Sequence, residues 1–151
     1  MALSLNDRRK EMDKETVELG TDLAPKFENS GLIPCITVDA SSGEVLMFAW
    51  MNEEALKRTI KSGKATYYSR SRKKLWVKGE SSGLEQEVVE ILVDCDQDVI
   101  QLRVHVKGEG TCHNGYRSCF YRAVKKGDSG KLEFTIDERS FDPEKAYGKN
   151  N

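Results

Sequence analysis

Between Ile100 and Val106 the chain alternates. Ile100, Leu102, Val104 and Val106 are apolar, and Gln101, Arg103, His105 and Lys107 between and after them are polar. Residues two apart share one face of an extended chain, so this pattern predicts a strand with one buried face. Such a strand needs neighbours beside it and a layer to cover it. Candidate neighbours are short and bounded by turn residues. Leu32–Val38 and Glu44–Met51 flank Ser41-Ser42-Gly43 and read as a hairpin with a loop of about four residues. Thr66–Ser69, Leu75–Lys78, Val88–Asp94 and Phe120–Val124 read as further strands. Leu132–Ile136 reads as a late edge strand after the turn Gly127–Gly130.

One segment has clear helical spacing. Asn52 stands where an N-cap belongs, Glu53 and Glu54 follow in the first turn, and Ala55, Leu56, Thr59 and Ile60 recur at helical intervals before Gly63. The expected class is therefore α+β, a mostly antiparallel β-sheet domain with one or two short helices. Residues 1–30 are charged and weakly patterned, with Asn6 the candidate cap of a short helix. A loosely attached segment is expected there, followed by a core over 31–125 and a C-terminal strand with a polar tail over 126–151.

Composition narrows the function. The 151 residues suit one domain, and 24 Lys plus Arg against 25 Asp plus Glu give a net charge of -1. That balance argues against a general nucleic-acid binder. No apolar run approaches the roughly 20 residues of a membrane span, and Met1–Glu18 lacks the apolar region of a signal peptide. A cytoplasmic protein with no membrane partner is expected, in which Cys35, Cys95, Cys112 and Cys119 stay reduced.

Three constellations could carry chemistry. In Asp94-Cys95-Asp96-Gln97-Asp98, three carboxylates fall at alternate positions and would share one side of an extended chain, with Cys95 on the other. Clustered carboxylates repel unless a cation neutralises them, and hard oxygen ligands suit Mg²⁺ or Ca²⁺. An EF-hand is excluded, because Val99 and His105 occupy the positions needing Gly and Glu. The plain alternative is a polar turn at a strand end. In Cys112-His113-Asn114-Gly115-Tyr116-Arg117-Ser118-Cys119, two thiolates could close on one metal. With Cys95 they would supply three zinc ligands and leave the fourth position open, as in catalytic sites. Buried free thiols are the alternative reading, and the one that suits Cys35 in its apolar run. His113 adjoins a candidate ligand and is suited to proton transfer, whereas His105 is on the polar side of its strand. In the third, Arg70, Arg72, Lys73 and Lys74 interleave with serines ahead of Lys78-Gly79-Glu80-Ser81-Ser82-Gly83. Cations and a Gly-Ser turn suit phosphate oxygens, although a solvated basic loop has the same composition.

The order of these blocks resembles a known family. Gly43–Asn52, Tyr68-Ser69-Arg70-Ser71-Arg72, Leu75-Trp76, Lys78–Gly83, Asp94–Asp98 and Cys112–Phe120 follow one another as in the phosphoribosyl-AMP cyclohydrolases, and the resemblance spans roughly Leu32 to Arg122. It implies hydrolytic opening of the adenine ring of 1-(5-phosphoribosyl)-AMP between N1 and C6, the third step of L-histidine biosynthesis, by zinc-activated water. It further implies Zn²⁺ on Cys95, Cys112 and Cys119, Mg²⁺ on Asp94, Asp96 and Asp98, and an intertwined homodimer sharing zinc ligands between subunits. His113 would be catalytic, and Arg70, Arg72, Lys78, Ser81 and Arg117 would contact the nucleotide. Val77 replaces a histidine that some members carry, so that histidine is dispensable here. The stretch after Arg122 is too short for the pyrophosphohydrolase domain fused to some members. Two rival readings are a structural zinc module for a nucleic-acid or protein partner, with His113 as fourth ligand, and a deaminase of other purines.

Overall fold

The computed structural model describes residues 3–108 and 110–147. In chain order the elements are α1 (Leu5–Lys10), α2 (Lys14–Leu19), β1 (Ile33–Asp39), β2 (Val45–Met51), α3 (Glu53–Ser62), β3 (Thr66–Ser69), β4 (Lys74–Val77), β5 (Gln86–Val93), β6 (Ile100–Val106), β7 (Arg122–Val124), β8 (Leu132–Phe134) and α4 (Pro143–Tyr147). Six strands form one sheet in the order β4-β3-β2-β1-β6-β5, and β7 and β8 form a separate hairpin. Within the large sheet only β1 and β6 pair in parallel. The α+β, mostly antiparallel expectation is met.

The sheet curls until its ends meet. β4 and β5 are opposite edges, yet they are consecutive in the chain. Residues just before β3 bond to β5: Ala65 N–H donates to Gln86 O (3.0 Å) and Val88 N–H donates to Gly63 O (2.8 Å). Lys64 also bridges Glu87 in antiparallel fashion. This satisfies part of the edge that an open sheet leaves unpaired. The enclosed core holds Ile33, Cys35, Met51, Tyr67, Ile100, Leu102 and Val104, with Ala55 and Leu56 of α3 packed in the same cluster. The alternation read in β6 is thus its inward face, and His105 is exposed.

A polar row runs through this core. Tyr67 OH donates to Gln86 Oε1 (2.6 Å), Thr37 Oγ1 lies 2.7 Å from the same phenol, and Gln86 Nε2 donates to Met47 Sδ at 3.2 Å. Burial pushes the Tyr67 phenol well above its usual range. Nothing in the alternation pattern marks these residues as a chain of partners.

Helix α3 follows its sequence signals. Asn52 Oδ1 accepts from Ala55 N–H at 2.8 Å, and Gly63 closes the helix in the left-handed conformation. Ile60 departs from the expected apolar stripe and is 48% exposed. The helix count also needs correction, because there are four short helices among the described residues rather than one or two. Helices of five or six residues do not persist by propensity, so caps and tertiary contacts hold them. Ser4, not Asn6, caps α1 through Asp7 N–H, and Asp13 caps α2 through Thr16 N–H. No helix among the described residues is long and apolar enough to cross a membrane.

The loosely attached N-terminal segment is a second correction. Arg9 Nη1 donates both to Ala24 O (2.8 Å) and to Asp96 O (2.7 Å). Gln97 Oε1 accepts from Ala24 N–H (2.8 Å), while its Nε2 donates to Val17 O (3.0 Å) and Asp22 O (3.2 Å). Lys26 N–H donates to the Gln97 carbonyl at 2.7 Å. One buried residue, Gln97, therefore ties residues 17–26 to the β5–β6 loop through its side-chain amide and its carbonyl, with Leu5 and Phe27 entering the main core. Gln97→Ala orphans the buried Ala24 N–H and two carbonyls. Each buried group left unsatisfied costs about 1–3 kcal/mol. A denaturant titration of this variant should lose stability on that order, with earlier proteolysis within residues 3–30.

Candidate active site

The Cys112–Cys119 segment is a tight loop pinned at both ends. Cys112 N–H donates to Tyr116 O (3.0 Å) and Gly115 N–H to Cys112 O (2.9 Å). Gly115 has φ +95°, and a Cβ there would come within 2.5 Å of Phe141 O, so only glycine fits. Tyr116 stacks on Tyr121 at 4.0 Å between centroids. Cys119 N–H donates to Leu46 O (2.7 Å) and Ser118 Oγ to Val45 O (2.7 Å), which fastens the loop to β2.

The two thiols of this loop act on each other's ionisation. The neighbouring Cys119 thiol pulls Cys112 down to about 6 against the opposing effect of burial. The Asn114 N–H, 3.5 Å from the sulfur, and the charges of His113 and Lys78 add to the pull. The Cys112 neighbour, with burial, pushes Cys119 up.

Facing this loop is the Lys78–Gly83 turn. Gly79 has φ +86°, and a Cβ would meet Glu85 N at 2.2 Å, so the turn closes with backbone against backbone. Between the two loops lies a cavity of about 760 Å³, whose lining includes Arg72, Trp76, Lys78, Ser81, His113 and Cys119. Five residues expected from sequence to serve chemistry or phosphate binding therefore surround one space. Tyr147 of α4 reaches the same cavity, a contribution that no sequence pattern announced. Lys78 is nearly buried, and its Nζ donates to Thr111 O at 2.7 Å. Thr111 Oγ1 is buried with no partner among the described residues.

Other expected residues fall elsewhere. Arg70 lies over the Trp50 ring, 5.1 Å from its centroid. Arg117 pairs with Glu44 at 2.9 Å beside a second cavity of about 590 Å³ that includes His105. Cys95 is exposed and lines a third cavity of about 610 Å³ with Asp94 and Gln97.

The carboxylates do converge, but by a turn rather than an extended strand. Gln97 adopts φ 58°, its N–H donates to Asp94 O (3.1 Å), and Asp94 Oδ1 accepts from Asp98 N–H (2.9 Å) and Val99 N–H (3.1 Å). Ligand oxygens of Asp94, Asp96 and Asp98 lie within 4.8 Å of one another. They are the only trio of metal-ligating side chains so gathered among the described residues, and Cys95 does not join Cys112 and Cys119. Hydrogen bonding to Asp94 comes first, then burial and the neighbouring carboxylates, in raising Asp98 to about 6. Burial opposes ionisation of Asp94, but bonds from Asp98 and the loop N–H groups outweigh it and lower its pKa.

The raised value fixes the sign of a pH dependence. The folded protein holds the Asp98 proton more tightly than the unfolded chain, whose carboxyl titrates near 3.9. Without metal, the stability that Asp98 contributes should therefore be lost as pH rises from about 4 through about 6, while the lowered Asp94 contributes with the opposite sign at lower pH. Asp98→Asn should flatten that slope in thermal melts of metal-free protein between about pH 4.5 and about pH 7.5, and salt should attenuate it in the parent. A divalent cation should raise the parent's melting temperature more than the variant's.

A cavity that sets an imidazole, the Cys119 thiol and several cations around one space suits an enzyme for a small anionic substrate. The comparisons agree with that class. The family model for phosphoribosyl-AMP cyclohydrolase matches residues 47–121. A phosphoribosyl-AMP cyclohydrolase of Rhodopseudomonas palustris (strain HaA2) is 54% identical over 137 residues, covering 89% of this chain and 93% of its own length. One from Nitrobacter hamburgensis is 52% identical over 137 residues, covering 89% and 92%, and one from Nitrobacter winogradskyi is 54% identical over 132 residues, covering 86% and 90%. The chain belongs to the phosphoribosyl-AMP cyclohydrolase family, hydrolases that act on a cyclic C–N bond.

Proposed function

We propose that this enzyme opens the adenine ring of 1-(5-phosphoribosyl)-AMP between N1 and C6, yielding the formimino-carboxamide ribotide in the third step of L-histidine biosynthesis, in the cytoplasm. Family membership supports the histidine-pathway assignment. The observation that carries the residue-level reading is the convergence of His113, Cys119, Arg72 and Ser81 on one cavity.

The residues fit the two metals expected from the motifs. Cys112 and Cys119 are soft donors at the two ends of one tight loop, beside the buried Thr111 hydroxyl that lacks a partner among the described residues. Cys95 stands on a separate loop, so we assign the third thiolate to a second copy of the chain, in a homodimer. Asp94, Asp96 and Asp98 offer the hard oxygens that Mg²⁺ takes. Zinc held by these thiolates would supply a water whose pKa is lowered toward neutrality.

The chain's own residues do the rest. His113, exposed at the cavity edge, accepts the proton of the attacking water at an imidazole nitrogen and returns it to N1 as the N1–C6 bond breaks. The water oxygen stays on C6, and the exocyclic nitrogen is retained in the carboxamide. Arg72 and Ser81 hold phosphate oxygens, and Trp76 and Tyr147 offer aromatic faces to the purine.

Incubation with phosphoribosyl-AMP should give the ribotide chromophore without ammonia; ammonia release would instead indicate a deaminase. Cys112→Ser and Cys119→Ser should each lower zinc content and abolish turnover. Full zinc occupancy with normal turnover would reject the assignment. His113→Asn should keep zinc and lose about 10²–10⁴-fold in kcat together with one limb of the pH–rate profile. The exposed His105 is the control, and its replacement should cost little.

A further inference from the structure

Lys78 is the only charged side chain in the buried class among the described residues, at 8% exposure. A cation removed from water needs an anion or a set of acceptors to replace its hydration. No carboxylate fills that place, because none of the ion pairs among the described residues includes Lys78. Its ammonium donates to the Thr111 carbonyl, one residue before Cys112, at 2.7 Å. The Trp76 ring lies 5.9 Å away. The negative groups that act on it are the thiols of Cys119 and Cys112, which oppose the lowering by burial.

The position is therefore unlike that of a phosphate-binding lysine waiting for substrate. One N–H of the ammonium is already committed to the backbone that carries Cys112, and the anionic groups that act on it are the two thiols rather than a carboxylate. Three thiolates around one divalent cation leave a net charge of minus one, which a neighbouring ammonium cancels. A partner outside the ligand set that orients and neutralises ligands is a standard determinant of metal affinity.

We propose that Lys78 is a positioning residue for the zinc-ligand loop, fixing the Thr111 carbonyl and balancing the charge of the Cys112–Cys119 pair instead of binding a substrate phosphate. The inference rests on the zinc reading given above. It adds an anchor at the start of the loop: Cys119 is held on the backbone of β2, and Thr111, just ahead of Cys112, on the Lys78 ammonium.

The test is zinc affinity, measured by competition with a chromogenic chelator on the full chain. Lys78→Met keeps the apolar stem but removes donor and charge. Lys78→Gln keeps a donor without the charge, and Lys78→Arg keeps both. Zinc binding should weaken about 10–100-fold in the Met variant, a loss typical of groups that support metal ligands. The Arg variant should recover most of that loss, and the Gln variant should fall between. With zinc saturating, KM for phosphoribosyl-AMP should change little. Unaltered zinc affinity in the Met and Gln variants with a KM raised about tenfold or more would overturn the proposal and assign Lys78 to the substrate. If the Met variant fails to fold, the comparison of Gln with Arg decides the question alone. Zinc content of the parent separates the two levels of inference. A parent without zinc overturns the zinc reading and this inference together, whereas a zinc-loaded parent with unaffected variants overturns only this one.

Discussion

The backbone bonds that join residues 63–65 to 86–88 govern the architecture around the cavity. They bring the strand that follows β4 back to the residues that precede β3, so the chain between them is confined to a short turn at one rim. That turn is Lys78–Gly83. Because the rim also receives the Cys112–Cys119 loop through Leu46 of β2, Lys78 of one loop meets Cys119 of the other at one cavity. A flat sheet of the same strand order would carry the ends of this turn to opposite edges. Closure of the sheet is thus the step that turns two separate motifs into one site.

Much of this was legible locally. The helix α3 follows from Asn52 and Gly63 because caps act within a few residues, and β6 follows from strict alternation. The Asp trio and the Cys112–Cys119 loop were visible because ligand residues are chemically distinctive at short spacing. What stayed hidden depends on distant partners. The short helices α1 and α2 have too little apolar face to announce themselves and exist through side-chain bonds of Gln97 and Arg9, which span 73 or more positions of sequence where they join the N-terminal segment to the carboxylate loop. Lys78 looked like one cation among many in a basic stretch; only its burial against Thr111 sets it apart. A neutral Gln97 inside an acidic run was the one available hint that this loop faces protein as well as solvent.

That loop shows how a backbone turn gathers like charges. Asp94 Oδ1 accepts the N–H groups of Asp98 and Val99, and Asp98 is driven toward its protonated form. The neutral amide of Gln97 points the other way, into the N-terminal segment. The backbone turn is thereby held from behind while the carboxylates face forward. A preformed loop of this kind loses little conformational freedom when it takes up a ligand.

The polar row inside the curled sheet has a consequence for synthesis of the chain. Thr37, Met47 and Tyr67 leave the ribosome before Gln86, the residue that accepts the phenol's proton and satisfies the row. The first strands can pair as they emerge, yet their interior hydroxyl has no final acceptor until β5 exists, and β1 has no parallel neighbour until β6 follows. Contacts of such long sequence separation form slowly and leave an open edge while they wait. Native packing is therefore deferred until nearly the whole of the large sheet has been translated, and a nascent chain stalled before Gln86 would present an unfinished, association-prone edge to its surroundings.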